Sequence, residues 1–120
     1  MQIHNFKELK IWKLGRSLVK DIYIATNSCP QREQFGLTSQ IRRAAISIPS
    51  NIAEGSGRGT KDFSRFLTMA LSSAFEVETQ LFLAHDLEFL PETTTNKLLE
   101  QVQEIQKMIY GLQRKLNTES

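Results

Sequence analysis

Residues 40–55 read Gln40-Ile41-Arg42-Arg43-Ala44-Ala45-Ile46-Ser47-Ile48-Pro49-Ser50-Asn51-Ile52-Ala53-Glu54-Gly55. With Leu37 just before them, Ile41, Ala44, Ile48 and Ile52 recur at helical spacing and give one buried stripe. Ile46 and Ala53 add a second apolar strip outside it, and Arg43, Ser47, Asn51 and Glu54 line a polar strip. A helix with two apolar faces calls for two neighbours, which points to assembly and away from catalysis. Pro49 falls inside the pattern. Its missing N–H and its clash with the carbonyl four residues back predict a kink or bulge. The helix is predicted over about Thr38 to Glu54, with Gly55-Ser56-Gly57-Arg58-Gly59 following as a tight glycine-rich turn.

Three more helical segments flank this one. The first is predicted from about Phe6 to Thr26. Leu9, Trp12, Val19, Tyr23 and Thr26 lie on one side of it, with Ile11, Leu14, Leu18, Ile22 and Ala25 beside them. Gly15 interrupts it at a cost of about 1 kcal/mol against alanine, which suggests a close helix contact. The third opens with Thr60 as N-cap and Asp62 in its first turn, where the helix dipole favours an acid, and continues to about His85. In it Phe63, Leu67, Ala70, Ala74, Val77, Leu81 and Ala84 alternate spacings of four and three, a heptad seam. The fourth runs from about Thr94 to Leu116 on Leu98, Val102, Ile105, Ile109, Leu112 and Leu116. Asn27 to Gly36 and Asp86 to Glu92 form the other breaks. No alternating stretch reads as a strand. The expectation is an all-α protein, one domain over residues 1–120, folded as an antiparallel up-down-up-down four-helix bundle kinked at Pro49 in its second helix.

A chain of 120 residues buries a core without metal or disulfide support. Cys29 is the only cysteine, so no intrachain bridge is possible and a reducing compartment, the cytoplasm, is expected. Met1 to Lys7 contain no apolar core of a leader, and no apolar run reaches the roughly 18 residues of a membrane span, so no membrane partner is expected.

Net charge is only +2, but it is unevenly spread. Residues 1–27 and 28–66 each sum to +3; residues 67–96 hold Glu76, Glu78, Asp86, Glu88 and Glu92 with no Lys or Arg; residues 97–120 sum to +1. This asymmetry suits either a nucleic-acid face or, more commonly, mutual pairing of basic and acidic helices inside the fold. Arg42, Arg58, Lys61 and Arg65 are the candidate phosphate-binding cations. Arg43, Asn51 and Glu76 are the candidate interhelical polar network, because a buried arginine needs an acid. Ile46, Leu71, Phe75 and Phe82 remain as apolar surplus once each helix has a core face, and this predicts contact with other subunits.

Catalytic readings find little support. His4 and His85 are far apart, no His/Cys/Asp set has metal-ligand spacing, and Cys29 beside Pro30 has no placed base. The glycine turn precedes a helix and so can hold a phosphate, but it lacks the lysine and preceding strand of a P-loop, and a plain interhelix turn is the stronger reading. Glu76 and Glu78 lie about 200° apart on a helix, which is no carboxylate pair. No enzyme activity, cofactor or metal is expected.

Several stretches are similar to one known family. They are Phe6-Lys7-Glu8-Leu9-Lys10-Ile11-Trp12, Gly36-Leu37-Thr38-Ser39 running into the 40–55 signature and followed by Arg58, Phe63-Ser64-Arg65-Phe66-Leu67, and Glu76-Val77-Glu78-Thr79-Gln80-Leu81. Nearly the whole chain resembles the bacterial four-helix bundle proteins encoded within intervening sequences of 23S rRNA genes. It is more distantly similar to the accessory variability proteins of diversity-generating retroelements. Ser72 departs from the family's usual glycine. The resemblance implies a five-fold ring with a central channel and an association with nucleic acid, in a family with no assigned catalytic activity. Two functions stay open: an oligomeric adaptor for structured RNA or other nucleic acid, and a scaffold ring that presents a partner enzyme.

Overall fold

The computed structural model describes residues 5–119. His4, and the start of the N-terminal stretch read for a leader, lie outside the described residues. Four α-helices follow one another: α1 (Lys10–Thr26), α2 (Leu37–Ser56), α3 (Thr60–Asp86) and α4 (Glu92–Glu119). They pack in a rod with extents of 46 × 21 × 20 Å, α1 and α3 each against both α2 and α4.

Pairwise contacts fix the directions. Gly15 of α1 lies against Ile48 and Pro49 of α2, whereas Arg42 reaches Tyr23 and Thr26. Gly55 touches Phe63 and Phe66 of α3, whereas Ser47 bonds Ser73. Gln113 of α4 reaches Ser64 and Thr68, whereas Gln103 and Gln106 reach Glu78. Asp21 of α1 accepts from Gln101 of α4. Each neighbouring pair is therefore antiparallel. The α2–α3 turn shares one end of the rod with the start of α1 and the end of α4; the other two connections share the opposite end.

The predicted seams form the core. Every named seam residue of α3 is buried, as are Ile41, Ala44, Ile48 and Ile52 of α2 and Leu98, Val102, Ile105, Ile109 and Leu116 of α4. On α1 the buried set is Ile11, Gly15, Leu18, Ile22 and Thr26. Trp12 and Val19 are half-buried and Tyr23 is exposed, so the side of α1 headed by Trp12 faces outward.

Helix boundaries differ from expectation for local reasons. Phe6–Glu8 is a 3-10 turn capped by Asn5, whose Oδ1 accepts from the Lys7 N–H at 3.1 Å, and α1 starts only after extended Leu9. α2 runs on as one helix through Pro49 to Ser56, leaving Gly57, Arg58 and Gly59 as the turn. Gly59 takes the N-cap position and Thr60 is the first residue of α3, with no side-chain cap. At the far end of α3, Glu88 adopts φ 61°, the left-handed conformation that closes a Schellman cap: Phe89 N–H bonds Ala84 O at 2.8 Å and Glu88 N–H bonds His85 O at 2.9 Å.

Candidate nucleic-acid interface

Gly55 makes the basic end possible. A Cβ added there would stand 2.6 Å from Phe66 Cβ and 3.1 Å from Phe63 Cδ1, so only glycine lets α2 and α3 approach this closely. The approach seats Phe66 against the end of α2. Two guanidiniums lie over its ring, Arg58 at 4.8 Å and Arg65 at 5.1 Å. Arg58 also pairs with Glu54 at 3.4 Å and Arg65 with Asp62 at 3.6 Å. All four charged side chains in these pairs are largely exposed, so the pairs contribute little and exchange readily for other anions.

Lys61 and Arg65, with Asp62 and Thr68, line a depression of about 630 Å³ between the start of α3 and Asn117 near the end of α4. Gln113 ties its walls together, donating to Ser64 O at 3.1 Å and Thr68 Oγ1 at 2.8 Å. Lys7, Lys10, Arg114 and Lys115 are exposed at the same end of the rod. Seven exposed cations thus collect there against the described acids Glu8, Glu54 and Asp62. The charge runs of α1 and α4 do not announce this; antiparallel packing brings them together.

Arg42 does not belong to this group. It lies sixteen residues before Arg58, about 24 Å away at 1.5 Å per residue. Its Nε donates to Thr26 Oγ1 at 2.9 Å, its Nη2 to Tyr23 O at 3.4 Å and Asn27 Oδ1 at 3.2 Å, and its guanidinium lies 4.4 Å from the Tyr23 ring centre. It satisfies the carbonyl end of α1, where a cation also complements the helix dipole.

The expected buried network is also corrected. Arg43 and Glu76 are both exposed. Arg43 lies about 40° round α2 from Ser47 and about 80° from Asn51, on the solvent side. What joins α2 to α3 is smaller: Asn51 Nδ2 donates to Ser47 O at 2.8 Å and Ser47 Oγ at 2.9 Å, and Ser73 Oγ donates to Ser47 Oγ at 2.9 Å. Two other carboxylates bridge helices: Glu78 on α3 accepts from Gln103 at 3.0 Å and Gln106 at 2.8 Å on α4, and Asp21 on α1 accepts from Gln101 on α4 at 2.8 Å. A lone acid facing two glutamines across a seam was the missed signal.

The four predicted interface residues separate. Leu71 is buried within its own chain. Ile46, Phe75 and Phe82 stay exposed at 41%, 45% and 48%, too much for core positions. Ile46 belongs to the α1–α2 side. Phe75 and Phe82 sit on α3 three residues before and four residues after Glu78, on the half turned toward α4.

Cys29 is part-buried, and burial pushes its thiol above the usual range, with Thr38 and Arg42 opposing. A thiol held protonated is a poor nucleophile. Among the described residues no group of three His, Cys, Asp or Glu side chains could hold a metal ion, and no helix is long and apolar enough to cross a membrane.

These features define an all-α four-helix bundle with one basic end and two exposed apolar faces. The profile of the 23S rRNA-intervening sequence protein family matches residues 7–111, and the chain belongs to that family. Among solved structures, it is similar to a protein of unknown function from the S23 ribosomal protein family of Bacteroides thetaiotaomicron. The two share 23% identity at a TM-score of 0.77, over 86% of this chain and 97% of that one. At that identity the likeness concerns the fold. No curated protein matches the chain.

Proposed function

We propose that this chain is a non-enzymatic, cytoplasmic homo-oligomer that binds structured RNA or other nucleic acid through its basic end. One observation carries the reading. Arg58, Lys61 and Arg65 are gathered at the α2–α3 turn and joined there by the cations that begin α1 and end α4. Their acidic partners are exposed, so a phosphate competes with them at little cost. A subunit count of five rests on the family resemblance. In a ring whose axis follows the helices, every basic end faces the same way, and repeated weak contacts gain affinity by avidity. Phe66 is buried beneath its two arginines, so the ring nearest these cations is not available for base stacking. Phosphate contact without sequence preference is the expected mode.

The test is RNA and DNA binding across a salt series. Wild-type affinity should fall steeply with salt, and Arg58→Ala/Lys61→Ala should lower the log–log slope by about two for each engaged protomer. Absence of binding at low salt, or an unchanged slope in the double variant, would move the reading to a scaffold ring that presents a partner enzyme. The exposed Phe75 and Phe82 favour that second reading.

A further inference from the structure

We infer that the end of the rod opposite the basic turn is a docking surface for a cationic segment of another protein, one that carries apolar side chains among its lysines or arginines. The inference goes beyond the nucleic-acid reading and does not depend on it.

This end is built from the α1–α2 connection and the α3–α4 turn, and two contacts lock them together. Cys29 Sγ donates to Phe89 O at 3.8 Å, and the Arg32 guanidinium lies over the Phe89 ring. Leu90 turns into the core and Phe89 packs against it. In a Schellman cap the apolar contact falls to the residue after the left-handed one, which here is Phe89. Leu87 therefore has no part in closing the helix, and it is 55% exposed. Leu83, one turn before it, is 45% exposed, and Phe35, just ahead of the Gly36 cap of α2, is 91% exposed.

The three share one edge. Around α3, Leu87 lies about 40° and Leu83 about 80° from Ser73, in the direction away from Glu78. Ser73 marks the α2 side through its bond to Ser47, and Glu78 marks the α4 side. Leu83 and Leu87 thus flank the start of α2, where Phe35 stands. This edge is separate from Phe75 and Phe82, which lie on the α4 side. Folding leaves all three apolar side chains unused, and together they make a patch that a partner can cover.

The charge of this end selects the occupant. Asp86, Glu88 and Glu92 are exposed around the patch, within the stretch 67–96 that has no Lys or Arg. Glu88 takes the left-handed position at φ 61°, where glycine is favoured, so a carboxylate stands at the tip of the turn against backbone preference. The cations of this end are turned to the protein itself: Arg42 holds the end of α1 and Arg32 the Phe89 ring. Lys97 and Arg43 stand five and six residues into α4 and α2, about 7.5 and 9 Å further along the rod. Exposed apolar side chains ringed by acids fit a cationic amphipathic segment. The apolar anchors supply affinity, and the acids supply fast approach and selection against anionic partners.

The place also suits a partner. The α1–α2 groove, about 340 Å³ between Trp12 and Val19 on α1 and Ile46 and Ala53 on α2, and the stripe of Phe75 and Phe82 run along the sides of the rod. Copies packed side by side cover the sides and leave this end open. The rod is 46 Å long, several times the Debye length of about 8 Å at physiological salt. The two poles therefore act independently. Nucleic acid is drawn to one, a cationic segment to the other, and one chain can hold both.

The probe is a fluorescein-labelled helical peptide of leucine and lysine, followed by anisotropy at low and physiological salt. Circular dichroism checks that each variant keeps its helical content. Wild type should bind the peptide, more weakly at the higher salt. Phe35→Ser/Leu87→Ser and Asp86→Lys/Glu88→Lys should each weaken binding about tenfold or more. Phe75→Ser/Phe82→Ser should bind as wild type does. Nucleic-acid binding by Phe35→Ser/Leu87→Ser should equal that of wild type, so failure at one pole is read separately from failure at the other. Absence of peptide binding, or binding that survives both end variants, overturns the inference. Equal binding of a leucine–glutamate or a serine–lysine peptide does so as well, since adhesion then needs only one of the two features. Binding lost in Phe75→Ser/Phe82→Ser alone moves the site to the stripe and overturns it. A wild-type mass that falls in Asp86→Lys/Glu88→Lys, read by light scattering, also overturns it, because the acids then hold the basic end of a second copy.

Discussion

The two ends of this rod use the same residue types for different work. At the glycine-turn end, Arg58 and Arg65 rest on Phe66 with exposed acidic partners, and Lys61 is exposed on a shallow depression. At the opposite end Arg42 is committed to the last turn of α1, and Arg32 lies over the Phe89 ring at 5.8 Å. Acids there are also employed: Glu33 Oε1 accepts from the Leu37 N–H at 3.2 Å and so caps α2. One end presents its cations to the outside and the other uses its cations, with Glu33, to finish its helices. A cation contributes to recognition only when the fold leaves it unsatisfied by its own backbone.

The largest test of this contrast is Gly55→Ala. The added methyl meets Phe66 Cβ, which cannot swing away as a flexible tip would. Overpacking of this kind costs about 1–3 kcal/mol, read as a lower denaturation midpoint at fixed protomer concentration. Displacement of Phe66 also disturbs the two arginines, so the salt dependence of nucleic-acid binding should change with it. Gly15→Ala is the matched control. A Cβ there would lie 3.4 Å from Pro49, an ordinary contact, and the variant should fold at least as stably as wild type. Equal losses from both glycines would show that Gly55 has no special role.

A smaller effect separates neighbouring arginines. Arg42→Ala removes donors from Thr26, Tyr23 and Asn27 and should cost about 1–2 kcal/mol, reduced from the full value of charged hydrogen bonds because the site is part-exposed. Arg43→Ala, on an exposed position, should stay within about 0.5 kcal/mol. Chemical denaturation of the two variants side by side decides this, and a reversed order would restore the buried network expected for Arg43. The smallest effect is a gain. Glu88→Gly relieves a left-handed residue at φ 61° and should stabilise by about 0.5–1 kcal/mol. Binding should be untouched, since Glu88 lies at the end away from the basic group.

Much of the fold was legible because helix seams are written as local periods. Phe63 to Ala84 on α3 and Leu98 to Leu116 on α4 repeat at four and three, and burial follows that repeat with little interference. The basic turn was legible for a similar reason: Arg58, Lys61 and Arg65 are close in sequence. Arg42 was misplaced because proximity in a list of cations says nothing about position along a rod. Arg43 was misplaced because a polar strip on a helical wheel is wide enough to hold one residue facing a neighbour and another facing solvent. Leu71 was misplaced because it sits between the α3 seam and its outer stripe, and only the distance to α4 decides which it joins.

The amino-acid sequence by itself determined the four helices, their core faces, the glycine turn and the family. Each of these depends on spacing over a few residues or on a continuous motif. Tertiary structure alone decided that the first and last segments bring Lys7, Lys10, Arg114 and Lys115 to the Arg58 turn, that Glu78 bridges helices while Glu76 does not, and that the apolar surplus divides into a groove and a stripe facing opposite ways. These outcomes depend on antiparallel packing between segments far apart in the chain. A helical period records how often a residue returns to one face; it does not record which neighbour, if any, that face will meet.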